Sequence, residues 1–115
     1  MNDPAGNTHH GLLVLHAPFR DAYVLTLRGI ADGSTRASLA DDFARAADTG
    51  LPLIVDLAAL EFGDENLLGL LLDAYRGGGL TLVGPLSSSF ARRLDIAGLL
   101  TLFTIHPTLA AALKP

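Results

Sequence analysis

Residues 53–75 constrain the fold most, because a short apolar run, a connection and a leucine-rich segment follow one another there. The run LIVDL at 53–57 predicts a buried strand, since it contains Ile54 and Val55 and ends near an acid. Asp64 predicts the start of a helix, because its carboxylate can accept hydrogen bonds from the first free backbone N–H groups. We therefore expect a loop over 58–63, a helix over 64–75, and a recognition surface at residues 63–68.

The length of 115 residues suits one domain, and apolar residues, 50% of the total, are numerous enough to form a core. The formal net charge of -4 argues against nonspecific binding to nucleic acid. No apolar run approaches the roughly 20 residues of a membrane span, and the N-terminus lacks a signal-peptide pattern. We expect a cytoplasmic protein without membrane insertion.

Metal, cofactor and catalytic chemistry receive little support from the residue types present. The chain has no cysteine, which excludes disulfides and thiolate metal sites. Its histidines, at positions 9, 10, 16 and 106, would have to be brought together to bind a metal ion. No serine lies in a nucleophile-elbow pattern. We expect a protein that is not an enzyme and has no catalytic, cofactor-binding or metal-binding residues.

The remaining patterns predict the element order ββαβαβαβα. Strands are expected at 12–15, 23–28, 53–57, 80–83 and 102–105, with helices near 35–47, 64–75, 90–97 and 107–113. The first two strands should form an antiparallel hairpin, and strands joined through helices should be parallel. Ser34 or Thr35 is the expected cap of the first helix, and the serines at 87–89 supply the cap of the third. The polar residues 1–11 are expected to form a flexible arm before a domain over 12–115.

Four segments in this order resemble the STAS domain family, which includes bacterial anti-sigma factor antagonists. They are LRGIAD at 27–32, IVDL at 54–57, FGDENLLGLL at 62–71 and FARRLDIAGL at 90–99. The resemblance covers roughly residues 12–113 and implies a small sheet backed by helices. It also implies a non-enzymatic module that binds another protein.

Position 65 is where the sequence departs from the family pattern. The resemblance implies a serine directly after the motif aspartate, phosphorylated by a kinase that is also the anti-sigma factor. Here Asp64 is kept, but Glu65 follows it, with Asn66 and Leu67 replacing the next motif positions. Glutamate has no hydroxyl group to receive a phosphoryl group. Glu65 is either a partial mimic of phosphoserine or an ordinary residue of a first helical turn.

The resemblance implies partner switching, in which the chain competes with a sigma factor for a histidine-kinase-like ATPase. The alternative is an accessory subunit of an ABC-type lipid transport system that docks on its ATPase. A homodimer is a further possibility, since the helix over 64–75 is apolar almost all round and its leucines are either exposed for a partner or covered by other helices. The expected partner-binding residues are Asp32, Gly63, Asp64, Glu65, Asn66, Leu67, Leu68 and Leu71.

Overall fold

A six-stranded sheet organises the chain, and its strands lie side by side in the order of the sequence. The structure, a computed structural model, describes residues 6–9 and 11–114. The strands are β1 (Gly6–His9), β2 (Leu12–Pro18), β3 (Tyr23–Ala31), β4 (Leu53–Gly63), β5 (Leu80–Val83) and β6 (Thr104–His106). The helices are α1 (Arg36–Asp48), α2 (Glu65–Arg76), α3 (Ser88–Ile96) and α4 (Leu109–Leu113), and a 3-10 turn (Gly33–Thr35) precedes α1.

Strand direction follows from how the strands are connected. β1, β2 and β3 follow one another closely in the sequence and pair antiparallel. β3, β4, β5 and β6 are separated by helices and pair parallel. The predicted α/β class, with a mixed and mostly parallel sheet, is confirmed. The observed order contains one strand more than predicted.

Helices α1, α2 and α3 pack on the same face of the sheet. Each crossover moves to the next strand in one direction, so the right-handed preference of such connections puts their helices on one side. The main core lies there and includes Leu25, Leu27 and Val55 from the sheet. The opposite face carries a small cluster of Ala22, Val24, Ile54 and Val83, which α4 partly covers.

β4 is longer than the sequence pattern indicated, because residues 58–63 continue the strand instead of forming a loop. Two register shifts interrupt its pairing with β3. Such irregularities place extra residues on one strand and break the two-residue alternation of inward side chains. Within residues 57–63 the buried positions are accordingly Leu57, Leu60 and Gly63, three residues apart.

The N-terminal region also departs from the prediction. Residues 1–11 were expected to form an arm, but Gly6–His9 pair with β2 as an additional antiparallel strand. Strand pairing uses backbone groups, so a polar segment can join a sheet edge without the apolar alternation that predicts a strand. Of the rest of the expected arm, residues 1–5 and 10 lie outside the described residues, and Gly11 lies in a turn before β2.

Candidate functional site

Two junctions, each leading from a parallel strand into a helical turn, lie side by side at one edge of the sheet. Ala31, the last residue of β3, is in register with Gly63, the last residue of β4. The backbone N–H of Asp64 donates to the carbonyl of Ala31 at 3.0 Å. The next residues in the chain, Asp32 and Asp64, therefore start from neighbouring positions. We call Asp32 and residues 63–66 the tip.

Asp64 caps α2, as its sequence position predicts. Its Oδ1 accepts hydrogen bonds from the backbone N–H groups of Asn66 at 3.1 Å and Leu67 at 3.2 Å. These N–H groups have no acceptor within the first helical turn, so the carboxylate satisfies them. Glu65 is then the first residue of α2, and its side chain is exposed.

Asp32 caps the 3-10 turn that precedes α1. Its Oδ1 accepts from the backbone N–H of Ser34 at 3.0 Å and from the Ser34 hydroxyl at 2.6 Å. The prediction that Ser34 or Thr35 caps α1 was wrong in its mechanism. Thr35 occupies the N-cap position, but its side chain makes no capping bond there, and its hydroxyl donates back to the carbonyl of Asp32 at 2.9 Å.

Gly63, which was expected to contact a partner, is buried. A Cβ atom at this residue would lie 2.7 Å from a Phe90 ring carbon and 2.8 Å from Leu67 Cδ2. Non-bonded carbon atoms prefer about 3.5–4.0 Å. The absence of a side chain at Gly63 therefore lets α2 and α3 approach the end of β4.

Three leucines predicted to contact a partner belong to the core. Leu67 and Leu71 are 0% exposed and Leu68 is 9% exposed. Their burial corrects the prediction for Leu67 and Leu71, because a partner cannot reach these two side chains while the domain is folded, and it leaves only a small part of Leu68 accessible. Neighbouring elements cover more than one side of α2, which is why its apolar surface is wider than a single stripe.

Next to the tip, an accessible groove lies between α2 and α3 and begins beside Glu65. We call it the α2–α3 groove. Arg93 on α3 holds its guanidinium 5.4 Å from the ring centroid of Phe62, which is itself 37% exposed. The groove is lined by Glu65, Leu68, Ser89, Arg92, Arg93, Ile96 and Ala97.

A buried set of hydrogen-bonded polar side chains joins β2, β3 and α1. His16 of β2 contacts the Tyr23 hydroxyl through Nδ1 at 2.6 Å and Asp42 Oδ1 through Nε2 at 2.8 Å. As an acid among other polar residues, Asp42 would be expected on the solvent face of its helix, but it is 3% exposed. Its spacing from Leu39 and Ala46 was the available signal, since these positions share one helix face.

The fold does not bring the carboxylates of Asp56 and Asp64 together. Asp56 lies inside β4, eight residues before Asp64, so at the rise of an extended strand the two are roughly 25 Å apart. No group of three or more His, Cys, Asp or Glu side chains among the described residues is placed to hold a metal ion. None of the described helices combines the length and apolarity needed to cross a bilayer.

Comparison with known proteins decides the family. The model of the STAS domain matches residues 17–112, which is most of the chain. The chain belongs to the STAS domain family. No curated protein matches this STAS domain.

Solved structures support the same fold for this STAS domain. It superposes on an anti-sigma factor antagonist from Mycobacterium paratuberculosis with a TM-score of 0.79 at 24% identity, covering 98% of this chain and 96% of the other. The unphosphorylated form of the anti-sigma factor antagonist SpoIIAA gives 0.73 at 20% identity, with coverage of 86% and 91%. The phosphorylated form of the Bacillus SpoIIAA gives 0.67 at 20% identity, with coverage of 86% and 95%. At these identities the likeness concerns the fold alone.

Proposed function

We propose that this STAS domain is a non-enzymatic interaction module that acts as an anti-sigma factor antagonist in the cytoplasm. Its partner would be an anti-sigma factor with a histidine-kinase-like ATPase domain, bound through the tip. The support is the family, the fold shared with anti-sigma factor antagonists, and a tip whose aspartates brace the backbone instead of forming a reaction centre.

The observation that carries this proposal is the placement of Glu65. It is exposed, it begins α2, and it directly follows the capping residue Asp64. The STAS resemblance assigns a phosphorylated serine to this position. A partner that contacts the start of α2 in this chain therefore contacts a carboxylate that is always present.

Because Glu65 has no hydroxyl group, phosphorylation at position 65 cannot regulate this interaction. A phosphoserine carries about -1.5 to -2 charges, whereas glutamate carries one charge and a planar carboxylate. The helix dipole favours either anion at the first turn of α2. We propose that the domain competes with a sigma factor for the ATPase at an affinity set by Glu65 and not switched at that residue.

A binding titration tests this function. The wild-type domain, Glu65→Ser and Glu65→Gln would be titrated calorimetrically against each purified histidine-kinase-like ATPase domain of the producing cell, with nucleotide present. We expect saturable one-to-one binding by the wild type and tighter binding by Glu65→Gln, because the variant removes the phosphate-like charge. If none of these ATPase domains binds any of the three proteins, the proposal is wrong.

The alternative is an ABC transport subunit, which would need a stable docking face and no phosphorylatable serine. Glu65 meets the second condition. Burial of Leu67 and Leu71, and of all but 9% of Leu68, leaves α2 without the exposed leucines that such a face would use. Co-purification of the native domain with an ABC ATPase, and loss of the domain when that ATPase is deleted, would favour the alternative. A homodimer would appear as a concentration-dependent mass in sedimentation equilibrium.

A further inference from the structure

The α2–α3 groove begins at the tip and lies between α2 and α3. Glu65 and Leu68 of α2 line one side, and Arg92, Arg93 and Ile96 of α3 line the other. The inference that follows rests on the proposed function, because it concerns what a protein bound at the tip would place in the adjoining groove.

The apolar part of the groove centres on Ile96. This side chain is 77% exposed, more than any other large hydrophobic side chain among the described residues. Leu68, which is 9% exposed, also lines the groove. An apolar side chain of a partner that covered Ile96 would remove both surfaces from water, which favours association.

The charged part of the groove is positive, although the chain as a whole has a formal charge of -4. No other two lysines or arginines are adjacent in the sequence as Arg92 and Arg93 are. Neither forms an ion pair within 4.0 Å with another described residue. The Arg93 guanidinium lies over the Phe62 ring, which orients it without neutralising its charge.

We propose that the α2–α3 groove binds an acidic segment of the partner protein that presents an apolar side chain to Ile96. Carboxylates of that segment pair with Arg92 and Arg93, because guanidinium groups bind carboxylates with matched geometry. Glu65 lies on the opposite wall and opposes the negative charge of the segment. The groove therefore combines attraction on α3 with repulsion at the start of α2, and Glu65 limits the affinity of the partner.

The first test uses two synthetic helical peptides as probes, each with a leucine stripe, flanked by glutamates in one and by lysines in the other. The 15N-labelled domain is titrated with each peptide, and amide chemical shifts are recorded. We expect the glutamate peptide to shift amides of α3 and of Leu68, and the lysine peptide to bind at least about tenfold more weakly. Equal binding of the two peptides, binding of neither, or shifts confined to other surfaces would overturn the inference.

Charge variants identify the groups responsible. Arg92→Glu with Arg93→Glu should weaken binding of the glutamate peptide about tenfold or more, since like charges then face each other. Arg36→Glu with Arg45→Glu, two exposed changes on α1 that alter the net charge by the same amount, is the matched control and should leave the affinity unchanged. Ile96→Gln should weaken binding and Glu65→Gln should strengthen it. Circular dichroism confirms that each variant is folded before its affinity is compared.

The inference and the proposed function can fail separately. If an ATPase domain binds the wild type and the variant with Arg92→Glu and Arg93→Glu with the same affinity, the groove assignment is wrong and the proposed function is unaffected. If the glutamate peptide binds the groove as expected but no ATPase domain binds, the groove assignment stands and the partner class is wrong.

Discussion

Replacing Gly63 by alanine tests whether the tip is built by close packing or is an open loop. The added Cβ would lie 2.7 and 2.9 Å from two Phe90 ring carbons and 2.8 Å from Leu67 Cδ2. Phe90 is 1% exposed and Leu67 is 0% exposed, so neither side chain can move into solvent without disturbing the core. Overpacking of this kind costs about 1–3 kcal/mol, and the contacts place Gly63→Ala in the upper half of that range.

A partial compensation reduces the net loss. Alanine restricts the unfolded chain more than glycine does, which stabilises the folded state by about 0.4–1 kcal/mol where the backbone conformation permits it. We therefore expect Gly63→Ala to lower the free energy of unfolding by about 1–2.5 kcal/mol. For a domain of this size, that corresponds to a fall in Tm of roughly 4–10 °C.

Gly69→Ala is the matched control for this prediction. Gly69 lies within α2 and is exposed, and a Cβ added there would meet no atom within 4 Å. Its replacement should raise the free energy of unfolding by about 0.5–1 kcal/mol, since alanine favours helix interiors. Urea unfolding followed by circular dichroism measures both variants. The packing argument is refuted if Gly63→Ala is as stable as the wild type, or if both variants shift stability in the same direction.

Three further predictions concern the supports of the fold, and urea unfolding measures each. Asp64→Ala should lower the free energy of unfolding by about 1 kcal/mol, because two N–H groups of α2 lose their acceptor. Asp64→Asn should retain most of the capping, and equal stability of the two variants would contradict this. Leu71→Ala should cost about 2–5 kcal/mol because Leu71 is fully buried, and a loss below about 1 kcal/mol would place it outside the core. His16→Ala should cost about 3 kcal/mol, since it removes the imidazole between buried Asp42 and Tyr23, and a neutral result would mean that this contact adds nothing to stability.

The predictable parts of the structure depend on local chemistry. Asp64 and Ser87 cap their helices through hydrogen bonds that span two or three residues, so the sequence around each cap contains the information needed. The parallel strands likewise follow from helices that separate apolar runs. Local patterns therefore predicted the fold class and the helix start at the tip.

The errors arose where distant parts of the chain decide the outcome. β4 continues through residues 58–63 because β3 pairs with it across two register shifts, which the sequence of β4 alone does not reveal. Leu67 and Leu71 are buried because the sheet and neighbouring helices cover α2 from more than one side. The contact between His16 and Asp42 joins residues 26 positions apart. In each case, tertiary packing overrode the interpretation of a short segment.

The central claim concerns the absence of a phosphoryl acceptor at the start of α2, and intact-mass spectrometry tests it most directly. The wild-type domain and Glu65→Ser would each be incubated with the ATPase domain that binds them and with Mg²⁺ and ATP. The account predicts an unchanged mass for the wild type and the gain of one phosphoryl group, mapped to position 65, for Glu65→Ser. Transfer to the wild type at a hydroxyl next to the tip such as Ser34, or no transfer to Glu65→Ser, would contradict it.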